Sequence, residues 1–146
     1  MRLHCPFCRI VAGREPARVV HRTARTTAFL PLRPATPGHT LVVPNTHVPD
    51  FFAVEPALAA TLTRAVLEVA TAVRAALDPA GMNIVSSAGK AASQSVYHLH
   101  THVVPRWAAD RMGAIWPPPE ETDDRTQDEI AERIRAATLT APPTSR

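Results

Sequence analysis

Lysine is all but absent from this chain: among 146 residues Lys90 is the only one, and arginine carries nearly all of the positive charge. The formal net charge of +3 is small, and neither an arginine-rich tract nor a ladder of aromatic residues accompanies it. That balance suits small anionic ligands and gives no reason to expect a nucleic-acid polymer as partner. Long apolar runs are missing as well. None reaches the roughly 18 residues a membrane span needs, so no membrane partner is expected. Cysteine is confined to Cys5 and Cys8. Two thiols exclude a disulfide-dense scaffold. With no signal peptide ahead of them, the expected setting is the cytoplasm, with both thiols reduced.

What is present is a hydrophobic fraction of 45%, enough for a substantial core and too high for wholesale disorder. Residues 1–13 read as a short anchored entry segment. Arg18–His21 and Thr26–Leu30 predict a hairpin, although Thr23-Ala24-Arg25 is not a strong turn signature. Pro31, Pro34 and Pro37-Gly38 interrupt regular structure after it. Leu41-Val42-Val43, closed by Pro44, predicts a short buried strand. Leu58, Leu62, Val66, Val69, Val73 and Leu77 recur every three or four residues. They predict one helix from about Glu55 to Leu77, opened by Pro56 and stopped by Pro79 and Gly81. Met82–Val85 and Tyr97–Val104, the latter ended by Pro105, predict two more strands around a small polar loop, Ser86–Ser95. Gly113–Asp124 is irregular, and a helix from about Thr126 to Leu139 comes next, capped by Asp123 or Thr126. The final Ala-Pro-Pro-Thr-Ser-Arg is expected to fray. Together these elements predict an α+β protein with a mainly antiparallel sheet of about five strands, one long helix and a C-terminal helix.

The strongest chemical signal is the spacing of His98, His100 and His102 within Val96–Val104. On a strand, alternate positions share a face, so the three imidazoles stand together and Leu99, Thr101 and Val103 face the other way. Packing explains the apolar face but not the imidazoles. An imidazole, with an unperturbed pKa of about 6.5, can attack phosphorus when neutral and donate to phosphate oxygens when protonated. Alternate Cα atoms lie about 6.6 Å apart, close enough for the rings to surround one phosphoryl group. A metal site made of all three is the other option; parallel side chains favour divided roles.

Cys5-Pro-Phe-Cys8 has zinc-knuckle spacing. Two thiolates cannot complete a tetrahedral site, so two further ligands must come from elsewhere. The competing readings are a redox dithiol and two ordinary buried thiols. The redox reading is disfavoured because no clear strand precedes the pair and no obvious helix begins at Cys5. His4 is not taken as a ligand.

Taken together, Cys5-Pro-Phe-Cys8, Phe29-Leu30, Pro37-Gly-His-Thr-Leu-Val-Val-Pro44 with His47, and Gln94 to Arg106 resemble the histidine triad (HIT) family of nucleotide hydrolases and transferases. The likeness is greatest to its zinc-containing bacterial branch of adenosine phosphoramidase-like proteins and spans about residues 3 to 107. It implies a HIT domain at residues 1–112, with residues 113–146 as a C-terminal extension packed on the domain or on a dimer partner. It implies that His100 attacks the α-phosphorus of a nucleoside 5′-phosphate derivative, with His39 supporting the nucleophile, His102 contacting phosphate, and Ser95 near the leaving group. Gln94 and Ser87 match the phosphate-side loop, and Phe7 and Leu30 the base-side pocket. Trp116 is a candidate for reaching the site of a partner subunit in a two-fold homodimer. The resemblance also assigns His47 and His98 to a structural zinc ion with Cys5 and Cys8.

The implied reaction is hydrolysis of phosphoramidates or related phosphoanhydrides; nucleotidyl transfer, or nucleotide binding with weak catalysis, are the alternatives. Three positions depart from the resemblance. Pro31 stands where many relatives carry an Asp or another polar residue that holds ribose, Ser87 replaces a common Asn, and Ser93 replaces a common Gly.

Overall fold

In the computed structural model, which describes residues 4–140, five strands form one antiparallel sheet in the order β1-β2-β3-β5-β4. They are β1 (Arg18–Arg22), β2 (Thr26–Leu30), β3 (Thr40–Pro44), β4 (Gly81–Ser86) and β5 (Thr101–Arg106). Three α-helices accompany them: α1 (Pro6–Val11), α2 (Pro56–Leu77) and α3 (Asp124–Thr140). The chain divides into two compact units, Met1–Met112 and Gly113–Arg146. The expected frayed tail falls on residues 141–146, outside the described residues.

Side chains alternate across the sheet and give it two unlike faces. Ala28, Val42 and Val103 pack with Leu62, Ala65, Val66 and Val69 of α2. Phe29, Leu41 and Val43 pack on the other face with Phe7 of α1. Complete burial of each large apolar side chain contributes about 1.5–3 kcal/mol, so the α2 contact is the main anchor of the sheet. The cross-strand register places Phe29 opposite Leu41 and Leu41 opposite His102. His102 therefore stands on the α1 face, away from α2.

The predicted elements are present, with differences at their ends. The β1–β2 turn closes because the Thr23 hydroxyl accepts the N–H groups of Arg25 and Thr26 at 3.1 and 2.9 Å, a side-chain device that residue type alone signals weakly. α2 begins at Pro56 as expected, but Asp78 ends it, in the left-handed conformation with its N–H on the Arg74 carbonyl. Gly81 is already in β4, and Leu77, the last residue of the predicted stripe, is exposed. By length and composition α2 is apolar enough to cross a membrane, although Arg64, Glu68 and Arg74 interrupt it. Its apolar stripe is the one packed on the sheet. In the second unit, Asp123 is the cap of α3: its carboxylate accepts the N–H and hydroxyl of Thr126 at 3.0 and 2.6 Å.

Two differences shape the site. A short helix, α1, starts directly after Cys5, where none was expected; six residues are too few to show helical periodicity. The second concerns the histidine run. β5 starts only at Thr101 and continues through Pro105 to Arg106, so His98 and His100 precede the strand. The chain before Thr101 turns toward the segment after β3, with the Leu99 N–H on the Val48 carbonyl at 2.6 Å. Pro105 is tolerated because β3 has not begun beside it: the β3–β5 register stops at Thr40↔Val103, and the Pro105 carbonyl accepts the Thr36 hydroxyl at 2.7 Å.

Candidate active site and metal centre

Because His98 and His100 leave the strand, the three imidazoles do not converge on one centre. Hydrogen-bond partners assign a tautomer to each. His98 Nε2–H donates to the Pro44 carbonyl at 2.9 Å, which leaves Nδ1 as the lone-pair nitrogen. That nitrogen lies 3.4 Å from Cys5 Sγ and 3.6 Å from Cys8 Sγ. His100 Nδ1–H donates to the His98 carbonyl at 2.7 Å, so the lone pair of His100 is on Nε2. The Ala35 N–H donates to His39 Nδ1 at 3.0 Å, so His39 carries its proton on Nε2 and donates it to His102 Nδ1 at 2.9 Å. His102 in turn carries its own proton on Nε2.

The electrostatics agree with neutral rings. Burial is the first cause in each case: it pushes His98 and His102 down from the ordinary histidine value to about 4, and lowers His39 and His100 as well. His100 is in van der Waals range of two rings, Phe7 at a centroid distance of 5.3 Å and His102 at 4.9 Å. A neutral His100 with Nδ1 tied down is a nitrogen nucleophile; a neighbouring N–H on His102 Nε2 is a donor for an anion.

Beside these rings lies a cavity of about 780 Å³, of the size that takes a small-molecule ligand. Phe7, Phe29, Leu30 and Leu41 line it. The two aromatic walls meet edge to face at 5.3 Å. Pro31 is also on the wall and offers no side-chain hydrogen bond.

The remaining predicted residues are spread more widely. Ser95 is exposed, and Ser87 is half-buried directly after β4. Gln94 is buried and fully engaged: its Oε1 accepts the Gly89 N–H at 2.8 Å, and its amide N–H groups donate to the Pro49 and Val96 carbonyls at 2.7 and 3.1 Å. Its side chain thereby holds the loop before the histidines in place. Trp116 is exposed in the second unit. Sequence reasoning missed the backbone groups of Ala35 and Pro44, which orient His39 and His98, and the Ser86 hydroxyl, which donates to the His100 carbonyl at 3.3 Å. Backbone hydrogen-bond partners leave no trace in residue type.

Cys5, Cys8, His47 and His98 form the metal candidate, with one ligand atom each and all four atoms within 4.8 Å of one another. Cys8 Sγ is 3.4 Å from His47 Nδ1. In a zinc tetrahedron with bonds of about 2.3 Å to sulfur and 2.0–2.1 Å to nitrogen, a sulfur and a nitrogen stand about 3.6 Å apart. The observed sulfur–nitrogen distances of 3.4–3.6 Å match that spacing. The donor set, two thiols and two imidazoles, suits zinc, and the Pro44 carbonyl supplies the outer hydrogen bond that fixes His98 for ligation. Both cysteines are free of disulfide.

The expectation that no helix begins at Cys5 is corrected here, since Cys5 caps α1 and its sulfur accepts the Cys8 N–H at 3.4 Å. A redox dithiol at a helix start needs a lowered thiol pKa. Burial instead pushes the Cys5 thiol up. A cation reverses that penalty, as a thiolate ligand requires.

An α+β sheet presenting an oriented imidazole beside an apolar cavity defines a small-molecule site of the histidine type. The chain belongs to the HIT domain family, whose profile matches residues 12–109. It is 39% identical to Protein hit of Bacillus subtilis over 114 residues, 77% of this chain and 79% of that protein. The crystal structure of a HIT family protein from Bacillus anthracis superposes with a TM-score of 0.84 at 33% identity, covering 94% of this chain and 99% of that one. A Zn-bound histidine triad family protein from Mycobacterium smegmatis has a TM-score of 0.72 at 35% identity, covering 92% and 98%. Membership supports a nucleotide-binding, hydrolase-type protein.

Proposed function

We propose that this chain hydrolyses nucleoside 5′-phosphoramidates or related phosphoanhydrides through a covalent intermediate on His100. The observation that carries the reading is the 2.7 Å bond from His100 Nδ1–H to the His98 carbonyl, which leaves Nε2 to attack. Nε2 forms a bond to the α-phosphorus, and the bond from phosphorus to the amine or phosphate leaving group breaks. His102 Nε2–H donates to a phosphate oxygen, and the Ser95 hydroxyl donates a hydrogen bond to the leaving atom, which takes up a proton from solvent as it departs. Water then attacks phosphorus, the phosphorus–nitrogen bond breaks, and a nucleoside monophosphate leaves with His100 regenerated. Phe7 and Leu30 hold the base, with Ser87 and Gln94 shaping the phosphate side.

Cys5, Cys8, His47 and His98 would hold zinc as a structural cross-link that ties the N-terminal segment to His98, two residues before the nucleophile. A thiol-rich site of this kind fits a reducing compartment such as the cytoplasm. A two-fold homodimer fits the unpaired outer edge of β4, where Ile84 is exposed near the exposed Phe51 on a shared apolar pocket.

The test is steady-state kinetics on nucleoside phosphoramidates and diadenosine polyphosphates, with His100→Ala as control and trapping of the phosphorus–nitrogen adduct. His100→Ala is expected to lose about a thousandfold or more in kcat. Retained turnover in that variant rejects His100 as nucleophile. Tight binding without turnover of any substrate makes the chain a nucleotide-binding module.

A further inference from the structure

One peptide group in the loop between β2 and β3 is held from both sides. Its N–H, that of Ala35, donates to His39 Nδ1 at 3.0 Å. Its carbonyl, that of Pro34, accepts from Arg111 Nη2 at 2.6 Å. The next carbonyl, that of Ala35, accepts from Arg111 Nε at 3.1 Å. The Pro34–Ala35 peptide is trans, so its C=O and N–H point in opposite directions. A guanidinium therefore stands at one end of the peptide dipole and an imidazole at the other.

The turn after β5 carries Arg111 to this loop. Arg106, the last residue of β5, donates from Nε and Nη2 to the Asp110 carboxylate at 2.6 and 3.0 Å. The same carboxylate accepts the Trp107 and Met112 N–H groups, each at 3.0 Å. These bonds fix the backbone on both sides of Arg111. They also occupy Asp110, so that it does not draw the neighbouring guanidinium away from the loop. The Thr36 hydroxyl, on the Pro105 carbonyl, tethers the loop as a body; Arg111 sets the plane of one peptide within it.

The hydrogen bonds run in one sense. Arg111 donates to the Pro34 carbonyl, the Ala35 N–H to His39 Nδ1, and His39 Nε2–H to His102 Nδ1 at 2.9 Å. His102 Nε2–H is the donor left at the end. Bonds aligned in this way polarise one another, and a charged donor at the head strengthens the next. The opposite tautomer of His39 would set Nδ1–H against the Ala35 N–H and would turn His102 Nε2 into an acceptor.

Resting on the hydrolase reading above for its chemical consequence, we propose that Arg111 is a positioning residue. It orients the Pro34–Ala35 peptide so that His39 and His102 both carry their proton on Nε2 and His102 meets phosphate as a donor. Two nitrogens of one planar fork on two successive carbonyls make a match that the point charge of lysine cannot reproduce.

The experiment compares the full chain with Arg111→Met, which keeps the apolar stem without a donor, and Arg111→Lys, which keeps the charge. Nitrogen NMR of labelled histidine, without substrate, reads the tautomers of His39 and His102; kcat on nucleoside phosphoramidates is measured in parallel. Expected in the native chain is a single Nε2–H tautomer for both rings. In Arg111→Met an Nδ1–H population should appear at His102, and kcat should fall about fivefold, less than for His39, since the effect passes through one more bond. Arg111→Lys should lie between the two. Arg111 is exposed, so neither substitution opens the core. Native tautomers in Arg111→Met overturn the proposal whatever the rate does, and a lowered Tm with native tautomers assigns Arg111 to stability alone. Absence of turnover in the native chain rejects the hydrolase reading alone, because the tautomers are read without substrate and decide the role of Arg111 by themselves.

Discussion

His39 Nε2 stands 2.9 Å from His102 Nδ1, and the Ala35 N–H on the opposite side of the His39 ring fixes which of the two donates. A loop histidine thereby dictates where His102 carries its proton. His39→Ala is expected to lower kcat at least about tenfold, the lower end for losing an orienting partner. The acid limb of the pH–rate profile should move upward. Burial first, then the charges of His100 and His39, hold His102 near 4, so removing His39 lets it protonate at a higher pH. An acid limb that stays in place shows that His39 does not act on His102.

The same burial gives folding a defined pH dependence. His102 sits near 4 in the folded chain, and His39 and His100 are lowered too, against 6.5 in the unfolded chain. The unfolded state therefore binds more protons as pH falls. Stability from these rings is complete above about 6.5 and is lost progressively toward 4. Thermal melts from pH 7.5 to 4.5 should show a falling Tm, less steep in His102→Gln. A flat profile over that range contradicts neutral, buried rings.

Elemental analysis of protein purified without added metal is expected to find about one zinc per chain, the stoichiometry of a four-ligand structural site. Cys8→Ala should abolish it and cost about 3 kcal/mol or more of unfolding free energy, because binding to such a site is coupled to folding. Full zinc occupancy in a Cys5→Ala/Cys8→Ala chain would place the metal elsewhere.

Ser93 adopts φ 68°, a left-handed conformation, at the end of the short turn formed by Lys90–Ala92. A Cβ in that region costs about 1–2 kcal/mol, and glycine removes the cost while adding chain entropy to the unfolded state. Ser93→Gly should therefore gain about 0.5–1 kcal/mol, read from urea midpoints at constant m. A loss of stability would mean that the serine hydroxyl does more here than occupy the turn.

The division of labour among the histidines is legible in their spacing, but its geometry is not. Alternate positions suggest a shared strand face, whereas the strand begins at Thr101 and the His100 ring turns back onto the His98 carbonyl. Parallel side chains on a flat strand cannot make that contact. What overrides the local pattern is tertiary: Val48 and Pro44, distant in sequence, take the Leu99 N–H and the His98 ring. The long helix is readable because its stripe repeats along all 22 residues. α1 is not, having less than two turns. The metal quartet can be anticipated because cysteine and histidine are chemically scarce.

His98 serves two masters. Its imidazole sits among the cysteines, and its peptide oxygen is the bearing on which the His100 ring is set. Oxidation or chelation at the thiols thus strikes the alignment of a nitrogen that never touches them, so loss of turnover should precede unfolding when the protein is stripped of metal.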